Sequence, residues 1–436
     1  MKRKEKGLFI LFILVGLFIS GPALAQKVNE FPDPSDPLHV RVAMFDKLMW
    51  GNHYNEGTMM QHVIFPPAGL ERPIVGSQED CADVTCMMLV AYSHKYAVTK
   101  DEKDREKANQ LLGGLLKLEK VTGVPGVMAR SFNRTDKPLW HEKVYFFPME
   151  WHWSTSMPGY RWQGDLSSDK FTSLFYALGT YWEYCADQEH KKIAADFLDR
   201  FMGRCVDYNF KLVDVDNKMT LWGNFCPDLP HQPLNSLEML GGLKVAYRMT
   251  GKERYRAAYH MLVDRYGYAD HAIQAKLLWP DEWKTAPWDD HLAAKSFYML
   301  LRWETDRTLM IKYRMNLNRH WVDWKTAEFN YSAQVWYHML YQVLTGEEIM
   351  TDKTIQAIKN MWGFDRRTAK FKIPTGDYEI IPGAYSRSWG FDEETRRSKV
   401  PEGEYEIVES EYEGNAATMI RNYWFGRHYG FIDPEW

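Results

Sequence analysis

The chain has 436 residues, 45% hydrophobic and 26% charged, with a formal net charge of −4. That mildly acidic balance excludes nucleic acid as a partner, because phosphate binding needs a basic face. Aromatic residues supply 15% of the chain and include 18 Trp, most of which must fill a core.

Lys2, Arg3, Lys4 and Lys6 precede an apolar run from Leu8 to Ile19, and Ala23-Leu24-Ala25 has the small-residue form of a cleavage site. The pattern predicts a secretory signal peptide over residues 1–25, cut after Ala25, and a periplasmic or secreted mature protein. The next residue is Gln26, not the Cys of a lipoprotein. No later run approaches the ~18 apolar residues of a membrane span, so no membrane anchor is expected after cleavage. Removing four bases and one acid with the leader moves the net charge from −4 to −7. About 410 residues remain, more than one ordinary domain holds. Repeat folds escape that limit because each repeat packs only on its neighbours.

Residues 26–76 form an N-terminal extension rich in Pro and Gly, with one expected helix from His39 to Trp50. Between 77 and 365 an apolar helical stretch five times ends in a short polar turn, and a second, amphipathic stretch follows. The turns are Thr99-Lys100-Asp101-Glu102, Asp187-Gln188-Glu189-His190, Thr250-Gly251-Lys252-Glu253, Thr305-Asp306-Arg307-Thr308 and Thr345-Gly346-Glu347-Glu348. Three have the T-x-x-E form, which predicts a capping box: the Thr hydroxyl accepts from the third backbone N–H and the Glu reaches back. Each turn then joins two antiparallel helices. The hairpins fall at 78–121, 167–209, 235–267, 289–323 and 327–362. The first member of each is apolar, as in Phe171 to Leu178, and the second carries the charge, as in Lys252 to Arg256. That asymmetry predicts an inner ring of helices wrapped by an outer one. The expected fold is all-α, an (α/α) helical-hairpin toroid of five to six hairpins with long loops on one face. Residues 366–436 form a small irregular C-terminal extension with alternating stretches such as Tyr405 to Val408. It ends in a helix from Asn415 to Tyr429 that packs on the toroid and pairs with the 39–50 helix to close a sixth position.

The cysteines read as free buried thiols. Cys81 and Cys86 point to different sides of one helix, and Cys185 and Cys205 are separated beyond the ~6 Å bridging distance. With no C-x-x-C pair there is no zinc signature, and no metal or cofactor is expected.

The loops entering the inner helices, 122–166, 210–234 and 268–288, are long and aromatic, whereas the leaving turns are short and polar. A loop as long as 122–166 inside a compact fold is a functional element, which places function at the N-terminal ends of the inner helices. Those ends carry Glu79-Asp80, Asp165 to Asp169, Asn235 to Glu238, Asp289-Asp290-His291 and Glu328-Phe329-Asn330. In a ring they converge, and carboxylates held together split their pKa values into an acid and a base. Asp80, Asp165, Asp169 and Asp290 are the candidate catalytic residues. His291, beside two acids, is a candidate proton shuttle or substrate contact. Trp182, Trp303, Trp321 and Trp336 sit at helical spacing and read as packing. Trp151, Trp153, Trp162, Trp222 and Trp288 lie in entering loops, where an indole face matches the C–H face of a sugar ring. His152, Tyr160 and Asn330 join them as candidate binding residues, and Arg130 and Arg161 are placed to hold a uronate or sulfate.

The paired helices, the Trp-rich mouth and the Gly164-Asp165 to Asp169 stretch resemble the (α/α) toroid carbohydrate-active enzymes. These include unsaturated glucuronyl hydrolases, polysaccharide lyases and uronyl epimerases. The likeness covers most of residues 78–362, and Tyr423 to Gly430 has the look of a family signature as well. It implies an oligo- or polysaccharide substrate and hydrolysis by a carboxylate acid and base. A lyase or epimerase using Tyr160, His152 or His291 with Arg130 is the second expectation, and a non-catalytic glycan-binding or scaffold protein the third.

Overall fold

Thirteen α-helices and ten short strands make up the residues that the computed structural model describes: 28, 30–65, 80–135, 151–228, 233–274, 287–326, 329, 332–364, 366–374 and 405–436. The expected signal peptide lies outside them. The described chain is mostly helical, and none of its helices is long and apolar enough to cross a membrane.

Helix α1 (Leu38–Leu48) runs on through one π-helical turn, Met49–His53. The five hairpins follow as α2 (Cys81–Thr99) with α3 (Glu102–Lys120), α4 (Ser168–Tyr184) with α5 (Gln188–Asp207), and α6 (Pro233–Thr250) with α7 (Glu253–His260). After the short α8 (Tyr268–Ile273) come α9 (Pro287–Trp303) with α10 (Arg307–Trp324), then α11 (Ser332–Thr345) with α12 (Asp352–Lys359). The last helix is α13 (Ala417–His428), which touches α1. Burial follows the apolar pattern. Helix α2 is buried from Cys81 to His94 apart from Asp83, whereas α3 buries one stripe through Ala108, Leu111, Leu112, Leu115 and Leu118. Each such Leu is worth about 1.5–3 kcal/mol when fully buried. Helix α2 packs on α4, α4 on α6, α6 on α9, α9 on α11, α11 on α13, and α13 on α2.

The turn chemistry differs from the expected capping box. Thr99, Thr250 and Thr345 are the last residues of their leading helices, and each hydroxyl accepts from the N–H two residues on, at 3.2 Å. Lys100, Gly251 and Gly346 follow with φ of 56°, 66° and 75°. Each returns its N–H to the carbonyl four residues back, at 2.8–2.9 Å. These are left-handed C-caps. A threonine still inside one helix cannot start the next. The next helix finds its own cap: Asp101 accepts from Lys103 N at 3.0 Å, and α12 waits until Thr351, which accepts from Thr354 N at 3.2 Å. The Asp187 and Asp306 turns cap directly, Asp187 accepting from His190 N at 2.9 Å and Asp306 from Thr308 N at 2.8 Å.

The loops carry more regular structure than an all-α reading allows. Strands β1 (Tyr54–Asn55) and β2 (Thr58–Met59) form a hairpin, and β3 (Val63–Ile64) lies beside the C-terminal strands described below. Within 122–166, β4 (Ser131–Arg134), β5 (Trp151–Trp153) and β6 (Tyr160–Gln163) form an antiparallel sheet in the order β4-β6-β5. Within 210–234, β7 (Lys211–Val213) pairs with β8 (Met219–Asn224). Strands β9 (Arg366–Pro374) and β10 (Tyr405–Glu413) run antiparallel, with β3 on the outer edge of β10. Trp-His-Trp and Tyr-Arg-Trp-Gln alternate in size and polarity, the two-residue period of strands. All five cysteines are free and buried, as expected.

Candidate active site

The N-terminal ends of the inner helices are tied together by side chains. Asp80 is the N-cap residue of α2, yet it caps nothing; its carboxylate accepts from Lys170 Nζ of α4 and from Gln61 Nε2 at 2.8 Å. The same ammonium lies 2.7 Å from Asp169 Oδ2. Asp169 Oδ1 accepts from the Ser167 hydroxyl and from Lys170 N at 3.0 Å. Two charge-assisted bonds of about 2.8 Å through one nitrogen keep the Asp80 and Asp169 oxygens within about 5.6 Å of each other. One turn deeper, Asp83 Oδ1 accepts from Ser173 and from Lys295 Nζ of α9, the latter at 3.0 Å. Thr172 of α4 donates to Glu238 Oε1 of α6 at 2.6 Å. Arg421 of α13 donates to His291 Nε2 of α9, and its guanidinium lies 3.9 Å from the Trp336 ring centroid of α11. Helix N-termini favour anions, and here the acids are spent on pairing across helices, not on capping.

The carboxyls are driven apart. Burial works to raise Asp169, but Lys170 and Arg130, with the hydrogen bonds from Lys170 and Ser167, overcome it and hold the carboxyl below its ordinary range. Lys170 is 2% exposed; burial works to lower it, and Asp169 and Asp80 keep it charged. Glu238 is fully buried, and one oxygen, Oε2, has no partner among the described residues. Burial first, then the charges of Asp169 and Asp289, push it well above the ordinary carboxylate range, against the Thr172 bond and Lys295. Burial thus favours the protonated form of Glu238, while the cations around Asp169 favour its carboxylate.

Of the predicted catalytic residues, the structure brings Asp80 and Asp169 together, 30% and 38% exposed respectively. Asp165 is bound to the β7–β8 hairpin instead. With φ of 58°, it receives Leu221 N on Oδ1 at 2.8 Å, while its own N–H donates to Asp214 Oδ2 at 2.8 Å. Asp290 turns to the outer layer, where its carboxylate faces His320 Nδ1 of α10 at 3.0 Å. Arg130 is buried beside Asp169 and donates through Nε to the Asp165 carbonyl at 2.7 Å. His291 belongs to the cluster through Arg421. Trp162 is buried and stacks on His152 at 4.3 Å, so both fill the sheet's inner side. At Gly164 a Cβ would sit 2.8 Å from Asp214 Oδ2, so a larger residue would push on that carboxylate. Arg161 is buried, and the Tyr160 hydroxyl donates to Glu56 at 2.8 Å. Trp153 and Trp222 stand out into solvent, 50% and 53% exposed. Trp151 and Trp288 have described backbone in β5 and α9 but side chains outside the described residues, and Asn330 lies outside them altogether. Lys170, Ser173, Lys295 and Arg421 are new to the cluster, and Glu238 gains a part that its place at a helix start did not single out.

No protein-family model matches this chain, and no curated protein does either.

Proposed function

We propose that the chain is an exported carbohydrate-active enzyme, a glycoside hydrolase built on a closed six-membered (α/α) ring. The succession of contacts from α2 through α13 and back to α2 supports the ring. Glu238 beside Asp169 carries the proposal for the chemistry: one carboxyl raised by burial and one held low by its cations, in one cluster of helix tips. Groups whose surroundings push their pKa values apart are the acid and base of a hydrolytic site. Glu238 is the proton donor to the leaving oxygen. Asp169 acts on the sugar or on water, with Lys170 and Asp80 fixing its carboxylate. The partner is an oligo- or polysaccharide, with Trp153 and Trp222 as exposed stacking faces, and the leader sends the protein to the periplasm or beyond. The test is a panel of glycans and glycosides: the wild type releases reducing sugar from at least one, and Glu238→Gln and Asp169→Asn each lose ~10²-fold or more. Unchanged rates in both variants overturn the assignment.

A lyase or epimerase is the second reading, favoured by Arg130, a buried cation beside Asp169 able to neutralise a uronate carboxylate. A lyase product carries a conjugated double bond and absorbs in the near ultraviolet; a hydrolase product does not.

A further inference from the structure

Arg421 is fully buried, and among the described residues no carboxylate pairs with it. Its Nε and Nη2 both donate to Asn422 Oδ1, at 3.1 and 2.6 Å, and its Nη1 meets His291 Nε2. The nearby Asp83 is already taken by Lys295 and Ser173. A buried cation without a counter-ion is costly, so the arrangement has a use. A guanidinium has five N–H donors and no acceptor. The imidazole nitrogen facing it must therefore accept, and the ring proton of a neutral His291 must sit on Nδ1. No described residue hydrogen-bonds that Nδ1, and the residue is only half-buried. A second donor without a partner stands close by: the Tyr176 hydroxyl, buried, its ring 5.9 Å from the same Trp336 ring that Arg421 covers. Burial, then Lys295, then Arg421 keep the imidazole from taking a second proton at neutral pH.

We propose that Arg421 locks His291 as a neutral imidazole protonated on Nδ1, and that this N–H, backed by Arg421 and the Tyr176 hydroxyl, receives an anionic oxygen of the bound glycan. The proposal rests on the hydrolase reading for its ligand class. It also removes His291 as a base, since one nitrogen is occupied by a donor and the other carries the proton. Arg421 is thus a positioning residue and His291 a substrate contact.

The test is nitrogen NMR of ring-labelled histidine in the full chain at neutral pH, with glucuronate, sulfate or glucose added. We expect His291 with a bare Nε2 and a protonated Nδ1. Glucuronate or sulfate shifts Nδ1, the responding anion naming the group that is bound, and glucose leaves it unmoved. His291→Asn, which keeps an N–H near the Nδ1 position, retains anion binding within ~10-fold, about 1.4 kcal/mol; His291→Gln and His291→Ala lose it. A proton on Nε2, an imidazolium, or an Nδ1 indifferent to both anions overturns the proposal. The hydrolase reading fails separately: a chain that binds anions in this way and cleaves no glycan keeps the donor site and loses the hydrolase. A hydrolase whose His291 carries its proton on Nε2 loses the donor site alone.

Discussion

Lys170 Nζ lies 2.7 Å from Asp169 Oδ2, so two successive residues of α4 close an ion pair on each other while the same ammonium reaches Asp80 at the start of α2. Lys170→Met takes the shared ammonium from both carboxylates, and the Asp169 pKa rises once it is gone. Breaking a buried pair costs about 3–5 kcal/mol. With both acids about a third exposed, solvent reduces the expected loss to about 2 kcal/mol. The pH dependence has a definite sign. A carboxyl held low in the native state stabilises fully above its unfolded value of about 3.9, and that stability is lost as pH falls through the native value. Lys170→Met should flatten this acid arm in urea titrations below about pH 4.

Glu238 has the opposite sign. Its native carboxyl is raised, so above about pH 4.3 the unfolded chain sheds a proton that the native chain keeps, and stability falls as pH rises. Glu238→Gln removes that slope while preserving shape, and the variant should gain on the wild type in stability with increasing pH. Its hydrolytic rate should fall by about 10²–10⁴, and the alkaline limb of the pH–rate profile should disappear with it.

The aspartates at 165 and 169 should separate in mutagenesis. Asp165→Ala leaves Leu221 N without its acceptor and should cost about 1–3 kcal/mol, read as a lower urea midpoint. Asp169→Asn should keep its fold and lose the rate.

At the C-terminal end of α13, burial, then Arg302 and Lys100, bring the half-buried His428 down to about 4. Between its unfolded value near 6.5 and about 4 the unfolded chain binds the extra proton, so stability is lost as pH falls through that window. Partial exposure limits the effect to about 1–2 kcal/mol. His428→Gln should remove most of it, measured as the difference in urea midpoint between pH 7 and 4.5.

The tightest backbone approach offers a test of the fold alone. Helix α3 meets the β1–β2 turn at Gly114, where a Cβ would collide with the Gly57 carbonyl. Gly114→Ala should destabilise by about 1–3 kcal/mol despite its better helix propensity, and Gly113→Ala, with nothing near, should not.

The five hairpins were legible in the sequence because apolar and charged stretches alternate locally, and the free thiols followed from spacing. T-x-x-E resembles a capping box but does not reveal whether its Thr ends one helix or begins another; the left-handed residues Lys100, Gly251 and Gly346 decide that. The strands of the entering loops were legible only as aromatic content. The site was half legible. Acids at helix starts mark Asp80 and Asp169, but the contacts that join the helices are remote, Lys170 being 90 residues from Asp80, Lys295 212 from Asp83 and Arg421 130 from His291. One signal was available. Lys295 and Arg421 are lone charges inside apolar helical runs, Leu292 to Leu301 and Ala416 to Trp424, and such a charge must find a buried use.

Asp165 rivets two tryptophan-bearing sheets into one slab. Its carbonyl holds Arg130, its N–H holds Asp214 and its carboxylate holds strand β8. Trp153 and Trp222 consequently ride on a shared plate, so neither indole can tilt without carrying the other.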